Sequence, residues 1–450
     1  MALKFGTDGV RDIAGTVLTP EFAMKLGQAA AAALVPDGRG LILIGKDPRT
    51  SSDMLEGALA AGICSVGVSV MLLGVIPTPA VAYLMKLYNA NAGIMVSASH
   101  NPFEYNGIKM FGASGAKLSD AEQDELTEHV YDAEFPKVRA CGGNVGTVLY
   151  AKAAIEDYVE HLYSAANGDF DGAKVVFDGA NGAASKTIEL LAQKLKIDAA
   201  YMNIEPNGLN INEKCGSTYP KMLQAAVLEQ GAQLGIAFDG DADRIIVVDE
   251  NGDIQDGDKL LAIFASYLAK NGNLKGNALV ATNMSNMGLA SFCKSHGIDF
   301  ITTAVGDRFV MAAMEAGGYN MGGEQSGHLI LRDYSPTGDG QLAAVFLMRI
   351  LREEMEPLSK LASAMEQYPQ VIKAVRVKPA TKENFDKSLE YAKLIKATED
   401  RLGNEGRVVV RKSGTESVIR VMVEGRDFEL VMELTATISK LIEDIDLNNT

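Results

Sequence analysis

Apolar, strand-like runs alternate with helix-length segments over most of this chain, and the order strand, glycine-containing loop, helix recurs three times. The recurrences lie around LILIGKD (41–47), KVVFDGANGAAS (174–185) and ALVATNMSNMGLASFC (278–293). Alternation of this kind favours α/β units on parallel or mixed sheets. Because ligand loops of such sheets gather at the carboxyl ends of the strands, polar residues that follow the strand-like runs are the first candidates for function.

The last 80 residues follow a different pattern. Strands and helices are predicted at 373–379, 382–402, 407–416, 418–425 and 427–445. They indicate a small, separate α+β domain, reached through a long helix-like stretch at 341–367 and a linker near Tyr368. At roughly 100–200 residues per domain, a chain of 450 residues is expected to form about three or four domains.

The chain is acidic, with a formal net charge of −16. This charge argues against nucleic acid or an anionic membrane as the main partner. The N-terminal MALKFGTDGVR has no apolar signal region, and no long uncharged apolar stretch occurs. The four cysteines are widely spaced, without a C-x-x-C pair, which favours reduced thiols. We therefore expect a cytoplasmic protein.

The most specific motif is DGDADR, residues 239–244. Asp239, Asp241 and Asp243 alternate, so their carboxylates face one side of an extended loop. Three like charges so close repel unless a divalent cation lies among them, and oxygen ligands suit Mg²⁺. Arg244, which follows directly, could hold a phosphate oxygen beside that cation. The alternative is a solvated acidic turn.

A second motif, RKSGTESVIR at 411–420, indicates an anion site. Glycine lets main-chain N–H groups close around a phosphate, hydroxyls donate, and arginine offers a bidentate fork. The candidates are Arg411, Ser413, Gly414, Thr415 and Arg420. The alternative is an ordinary Ser-Gly-Thr hairpin turn.

Further candidates lie in GGEQSGHLIL, residues 322–331. Glu324, Ser326 and His328 alternate there, and a carboxylate beside a hydroxyl can bind sugar hydroxyls or an amine. His328 is either a general acid or base or simply a polar loop residue. GTDGVR (6–11) and GKDPRTSS (45–52) are turns by default, and would supply arginine donors beside a phosphate site.

MVSASHNPFEYNGIK, residues 95–109, carries two serines directly after an apolar run. His100 would project away from Ser99 on an extended chain, so a Ser-His-Asp triad is not expected. A serine that lacks a base but shares a protein with a cation loop could carry a phosphoryl group. Lys109 could then orient the attacking hydroxyl. The alternative is an Asn-Pro turn with capping serines, and Ser97 is the other candidate hydroxyl.

Taken together, the motifs resemble those of the α-D-phosphohexomutase superfamily over essentially the whole chain. They occur in family order: GTDGVR, GKDPR, SASHNPFEYNGIK, ANGA, EPNGLNIN, FDGDADR, SNMGL, VGDRFV, GGEQSGH and RKSGTE. FGTDGVR, SNMGL and RKSGTE resemble the glucosamine branch more than the mannose and glucose branch. Three positions depart from the family pattern: Asp12 and Ala242 stand where glycine is usual, and Ser417 where proline is usual.

The resemblance implies three α/β domains with mixed sheets and a smaller C-terminal α+β domain around a central cleft. We expect a phosphoserine-bearing domain, a metal-binding domain, a sugar-binding domain and a phosphate-binding domain, with boundaries at 1–158, 159–255, 256–368 and 369–450.

The implied activity is interconversion of glucosamine 6-phosphate and glucosamine 1-phosphate, which feeds cell-wall precursor synthesis. It proceeds through a phosphoserine at Ser99, with a bisphosphorylated hexose as intermediate and activator. One Mg²⁺ per chain would be bound by Ser99, Asp239, Asp241 and Asp243. The resemblance assigns sugar contacts to Glu324 and Ser326, the fixed phosphate to Arg411, Ser413, Gly414, Thr415 and Arg420, and assistance in transfer to Arg11, His100, Lys109, Arg244 and His328.

Other interpretations stay open. The chain could prefer glucose or mannose phosphates, or bind metal and sugar phosphate without turnover. The expected partners are small sugar phosphates, with neither nucleic acid nor membrane, and a homodimer is compatible with the resemblance.

Overall fold

The computed structural model describes residues 6, 9–132, 134–136, 139–413 and 417–448. Contacts between residues divide the chain into two compact units. The first contains residues 1–284 and 298–364, and the second contains residues 285–297 and 365–450. The predicted residues Gly414 and Thr415 lie outside the described part of the chain.

The first unit begins with a mixed sheet and its helices. Its elements are β1 (Val10–Ile13), α1 (Pro20–Leu34), β2 (Leu41–Lys46), α2 (Thr50–Ser65), β3 (Ser69–Val75), α3 (Thr78–Leu87), β4 (Ala92–Val96), β5 (Tyr105–Phe111), α4 (Asp120–Tyr131), β6 (Val148–Tyr150) and α5 (Ala154–Ala166). The strand order is β1-β5-β4-β2-β3-β6. β4 is buried along its whole length, as expected of an apolar strand with both faces covered.

The second sheet of this unit carries the acidic loop. Its elements are β7 (Lys174–Asp178), α6 (Ser185–Lys194), β8 (Asp198–Met202), α7 (Lys221–Gln230), β9 (Leu234–Phe238), β10 (Ile245–Val248) and β11 (Ile254–Gln255). The order is β11-β10-β9-β7-β8. β7, β8 and β9 are parallel, whereas β10 turns back antiparallel to β9.

A third sheet completes the unit, in the order β13-β12-β14-β15. The segment contains α8 (Gly257–Lys270), β12 (Ala278–Thr282), α9 (Met287–Ser295), β13 (Asp299–Thr303), α10 (Asp307–Gly317), β14 (Met321–Gly323), β15 (Leu329–Leu331), α11 (Gly340–Glu354) and α12 (Leu358–Ala362). Of these elements, α9 belongs by its contacts to the second unit.

The second unit is built on an antiparallel sheet in the order β16-β18-β17. Besides α9 it contains β16 (Gln370–Arg376), α13 (Pro379–Asn384), α14 (Leu389–Leu402), β17 (Gly406–Lys412), β18 (Val418–Gly425) and α15 (Phe428–Asn448). Its core includes Ile419, Val421 and Val423 of β18, which pack against Val431 and Leu434 of α15. The predicted fold class, three α/β segments with mixed sheets followed by a smaller α+β segment, is confirmed.

Two predicted helices are wrong in their extent. The stretch 341–367 is not one helix, because α11 ends at Glu354, Met355 adopts a left-handed conformation and Pro357 precedes α12. The stretch 382–402 is also divided, since a new helix begins at Leu389, where Ser388 accepts a capping hydrogen bond from Tyr391 N.

Two further findings concern the cysteines and the apolarity of the helices. All four cysteines are unbridged, and Cys64, Cys215 and Cys293 are buried whereas Cys141 is exposed. Across the described residues, the helices lack the combination of length and apolarity needed to span a bilayer.

Candidate active site

Ser99 lies in the loop after β4, with a φ of +50°. Its side chain is fully buried, and Oγ donates a 2.5 Å hydrogen bond to Asp239 Oδ2. A non-glycine residue at positive φ is uncommon and carries strain that the surrounding structure must hold. The two loops singled out in the sequence therefore meet at this hydroxyl.

Ser97 anchors the same loop. Its Oγ donates to Asp47 Oδ2 at 2.6 Å and accepts the Ser99 N–H at 3.0 Å. Asp47 follows β2, which neighbours β4 in the sheet, so two parallel strands end at one hydrogen-bond cluster. Because the only hydroxyl proton of Ser97 is donated to Asp47, Ser99 is the serine that presents its hydroxyl to the acidic loop.

Arg49 braces the Ser99 loop from inside the protein. Nε donates to Asp47 Oδ2 at 2.8 Å. The other four guanidinium N–H groups donate to the carbonyl oxygens of Ser99, Asn101, Pro102 and Tyr105. All five donors are thus used within the protein, and the side chain is buried. The expectation that the arginine of GKDPR donates to a phosphate is therefore not met.

Asn212, in the motif EPNGLNIN, makes a second brace. Its Nδ2 donates to Ser99 O at 2.8 Å and to Asn101 O at 3.1 Å. The loop also lies close to Gly240 of the acidic turn: a Cβ added to Gly240 would lie 2.6 Å from Ser99 O. Only glycine permits this approach.

The acidic loop is the turn between the antiparallel strands β9 and β10. Carboxylate oxygens of Asp239, Asp241 and Asp243 lie within 4.8 Å of one another, and all three residues are buried. Because the three residues are buried, the alternative interpretation as a solvated acidic turn is excluded. Ala242, where the resemblance leads us to expect glycine, adopts φ +57°, a left-handed conformation that glycine adopts more readily.

Asp241 and Asp243 each have one oxygen held by the protein, whereas both oxygens of Asp239 accept hydrogen bonds. Asp241 Oδ2 accepts hydrogen bonds from Lys109 Nζ at 2.8 Å and from Thr78 Oγ1. Asp243 Oδ2 accepts from Lys109 Nζ at 3.2 Å. Oδ1 of Asp241 and Oδ1 of Asp243 are buried and accept no hydrogen bond from the described residues. Buried carboxylate oxygens without a donor are the ligands that a hard cation requires, so the residues fit a divalent metal ion.

The carboxylates differ in their protonation. Burial, followed by the charges of Asp243 and Asp241, raises the pKa of Asp239 to about 8. Burial also acts to raise the pKa of Asp243, but Lys109 and His328 outweigh it and hold that pKa well below its ordinary value. A cation among the three carboxylates would oppose the repulsion that raises the Asp239 pKa.

His100 lies nearer to Ser99 than an extended chain would allow. Its Nδ1 is 3.4 Å from Ser99 Oγ, because Ser99 is left-handed and turns the following residue back. The prediction that His100 projects away is therefore wrong. Partial burial, followed by the charges of Arg244 and Arg11, lowers the pKa of His100 to about 4, so the ring is neutral near pH 7.

Arg244 and Arg11 flank this histidine. Arg244 Nη1 lies 3.2 Å from His100 Nδ1, and its main-chain N–H donates to Asp239 Oδ1 at 3.3 Å. Arg11 Nη1 donates to Asn101 Oδ1 at 3.0 Å. The imidazole that contacts the Ser99 hydroxyl thus lies beside the Arg244 guanidinium, and Arg11 holds the next residue of the loop, Asn101.

The loop between β14 and β15 brings the next candidates into the same unit. Ser326 Oγ donates to Glu324 Oε2 at 3.4 Å, and Gly306 N donates to Oε1 at 3.0 Å. His328 is buried between Asp243, 3.8 Å from Nδ1, and Asp307, 3.6 Å from Nε2. Burial alone would lower the pKa of His328, but the interaction with Asp243 outweighs it and raises that pKa. His328 thus faces the acidic loop and is not an ordinary exposed loop residue.

The second unit carries the predicted anion-binding residues. Arg411 of β17 and Arg420 of β18 are direct partners in the antiparallel ladder, and Ser413 follows β17. Like charges directly opposite each other destabilise a sheet. The ladder thus places two guanidinium-bearing residues of the predicted anion site opposite each other.

Sequence reasoning missed three residues that this geometry makes important. Arg49 and Asn212 lie in recognised motifs, but their buried contacts join segments too distant in sequence for a pattern to reveal. Thr78 lies in the plain stretch IPTPAV and gave no signal at all.

Family models match the chain in four segments. They are described as the phosphoglucomutase/phosphomannomutase α/β/α domains I, II and III and the C-terminal domain, and they match residues 2–137, 156–252, 256–368 and 372–441.

Full-length relatives agree with these matches. The phosphoglucosamine mutase of Ruminiclostridium cellulolyticum is 47% identical over 445 residues, which cover 98% of this chain and 99% of the relative. The phosphoglucosamine mutase of Clostridioides difficile is 47% identical over 448 residues, with 99% of each chain covered.

Solved structures show the same fold. A phosphoglucomutase/phosphomannomutase family protein from Burkholderia thailandensis superimposes with a TM-score of 0.81 at 23% identity, covering 98% of this chain and 97% of the other. The N-acetylphosphoglucosamine mutase of Aspergillus fumigatus, in complex with GlcNAc-6P and magnesium, gives 0.69 at 16% identity, covering 99% and 96%.

Proposed function

The chain belongs to the phosphoglucomutase/phosphomannomutase family, and on that premise we propose that it interconverts glucosamine 6-phosphate and glucosamine 1-phosphate. The full-length relatives at 47% identity, both phosphoglucosamine mutases, support this substrate. The observation that carries the chemistry is the buried Ser99 hydroxyl, hydrogen-bonded to Asp239 within the three-aspartate cluster.

In the proposed reaction, phosphorylated Ser99 donates its phosphoryl group to the unphosphorylated hydroxyl of the substrate. The bond between phosphorus and Ser99 Oγ breaks, a bond to the substrate oxygen forms, and the substrate hydroxyl loses its proton. The resulting 1,6-bisphosphate reverses its orientation without leaving the active site, and its other phosphoryl group is transferred to Ser99. Neutral His100 is proposed to take the hydroxyl proton and to return it to Ser99 Oγ, which lies beside its Nδ1.

The same site is proposed to bind one Mg²⁺ through Asp239, Asp241, Asp243 and an oxygen of phosphorylated Ser99. When bound, the ion neutralises charge that accumulates on the transferring phosphoryl group. Arg244, Arg11 and Lys109 add positive charge around the acceptor. His328, buried against Asp243, is proposed to assist the proton transfers.

Substrate contacts are proposed for two groups of residues. Glu324 and Ser326, which lie within hydrogen-bond distance of each other, would contact sugar hydroxyls. Such contacts tolerate both orientations of a bisphosphate. The phosphate that is not transferred would be held by Arg411, Ser413, Gly414, Thr415 and Arg420.

Domain organisation, activation, assembly and location are proposed as well. We retain four domains at 1–158, 159–255, 256–368 and 369–450, a bisphosphorylated hexose as activator, and a homodimer. The unbridged cysteines support a cytoplasmic location, since thiols stay reduced there.

The test compares Ser99→Ala with Ser97→Ala. Ser99→Ala should lose turnover by several orders of magnitude and carry no phosphate by mass spectrometry. Ser97→Ala should keep phosphate on Ser99, although its loop is less well held. Full turnover of Ser99→Ala would refute the covalent step. Comparing kcat/KM for glucosamine, glucose and mannose phosphates then decides the substrate within the family.

A further inference from the structure

Thr78 contacts the acidic loop at two points. It is the first residue of α3, is fully buried, and lies 163 positions from Asp241. Its main-chain N–H donates to Asp241 O at 2.9 Å, and its hydroxyl donates to Asp241 Oδ2. One residue thus fixes both the backbone and the carboxylate of a proposed metal ligand.

Among residues 77–79, at the start of the helix, only Thr78 has a main-chain N–H. Pro77 and Pro79 flank it, and proline has no N–H. The fixed φ of proline suits a helix start, and the β-branched threonine has a restricted χ1. The main-chain N–H and the hydroxyl of Thr78 are therefore held in place before any ligand binds.

The hydroxyl also decides which carboxylate oxygen remains available. Thr78 and Lys109 both donate to Oδ2 of Asp241, whereas Oδ1 accepts no hydrogen bond from the described residues. With Oδ2 held from two sides, the carboxylate cannot rotate freely. Outer groups that orient a ligand in this way typically change metal affinity by about 10–100-fold.

We propose that Thr78 is a positioning residue for the metal ion: it holds Asp241 so that Oδ1 faces the cation, and it thereby sets the affinity of the site for divalent metals. This inference rests on the metal site of the proposed function.

The test measures Mn²⁺ binding to the EDTA-treated full chain by electron paramagnetic resonance of the unbound ion. Thr78→Val keeps the shape and the main-chain N–H but removes the hydroxyl, and its Kd for Mn²⁺ should rise about tenfold or more. Thr78→Ser keeps the donor and should stay within about threefold of wild type. Saturating metal should restore kcat in Thr78→Val without a change in KM for sugar phosphate, which a general structural defect would not allow.

Thr187→Val is the matched control. Thr187 is also a buried helical threonine, but its hydroxyl bonds to Ala184 O and Gln341. This variant should lose stability and keep its Mn²⁺ affinity. A wild-type Kd in Thr78→Val, or an equal loss in Thr187→Val, would overturn the inference, and Thr78→Ala provides the same comparison if the valine variant does not fold. A wild-type chain that binds no Mn²⁺ would instead count against the proposed metal site.

Discussion

Replacing Asp239 with asparagine should stabilise the metal-free chain while it abolishes binding of divalent cations. In the absence of metal, burial and the two neighbouring carboxylates raise the pKa of Asp239 from 3.8 to about 8. Between these two values the folded state keeps a proton that the unfolded state releases. Folding stability therefore falls as pH rises through this window and levels off above about pH 8.

The size of the effect follows from the pKa shift. The interval between the ordinary pKa of 3.8 and pH 7 is about three pH units. At about 1.4 kcal/mol per unit, the free energy of unfolding is lower at pH 7 than at acid pH by about 4 kcal/mol. Asparagine is neutral and escapes this penalty, and its Oδ1 can still accept the Ser99 hydrogen bond. It loses the second oxygen that accepts Arg244 N, at a cost of about 1 kcal/mol. A net gain of about 3 kcal/mol remains.

The assay is thermal unfolding in EDTA and in Mg²⁺, at pH 5 and pH 7. In EDTA, Asp239→Asn should unfold about 4 °C above wild type near pH 7, with a smaller difference at pH 5. Mg²⁺ should raise the Tm of wild type only. A variant that unfolds at or below the wild-type temperature in EDTA at pH 7 would refute the reasoning.

A matched control lies at the same edge of the same sheet. Asp178, at the end of β7, is also buried, but its two oxygens accept the N–H groups of Ala180 and Gly216 at 2.9 Å each. Asparagine there loses one acceptor and brings no relief from neighbouring charge. Burial alone raises the pKa of Asp178, so neutralising it relieves less of a charge penalty than at Asp239. Asp178→Asn should therefore raise the Tm in EDTA by less than Asp239→Asn does, and Mg²⁺ should still raise its Tm.

Two further substitutions test the loop brace and the anion site. Arg49→Lys offers three donors where five are used, so at least two buried acceptors lose a partner at about 1–3 kcal/mol each. The Tm by circular dichroism should fall by several degrees, and a wild-type Tm would argue against the brace. Arg420→Met should raise KM for the sugar phosphate about tenfold or more, because it removes a guanidinium group proposed to bind the phosphate that is not transferred. An unchanged KM would remove Arg420 from the phosphate site.

The sequence predicted best those features that depend on a single segment. The apolar run at 92–96 is buried on both faces, and such strands are recognisable by composition alone. The alternation of three aspartates within five residues likewise predicted their gathering, which the structure shows. Helix extents were predicted less well where one residue interrupts the pattern, as Pro357 does after α11.

What the sequence could not supply is the set of contacts between distant segments. The hydrogen bond from Asn212 to Ser99 O joins residues 113 positions apart, and its formation depends on how two sheets pack. The prediction of the orientation of His100 was wrong for a related reason. It depends on a left-handed Ser99, a strained conformation that is held by Arg49 and Asn212 and is not favoured by the local sequence.

Helix α9 belongs by its contacts to the second, C-terminal unit, although it precedes β13 of the first unit in the sequence. Asn286 exchanges two 2.9 Å hydrogen bonds with the main chain of Tyr368, and Glu424 accepts the Met287 N–H. Gly288 approaches Glu366 so closely that a Cβ would lie 1.8 Å from its carbonyl oxygen. A cut at the linker would thus leave both fragments incomplete. Exchange of residues 365–450 between relatives by recombination would therefore not transfer a complete unit, because residues 285–297 would have to be exchanged with them.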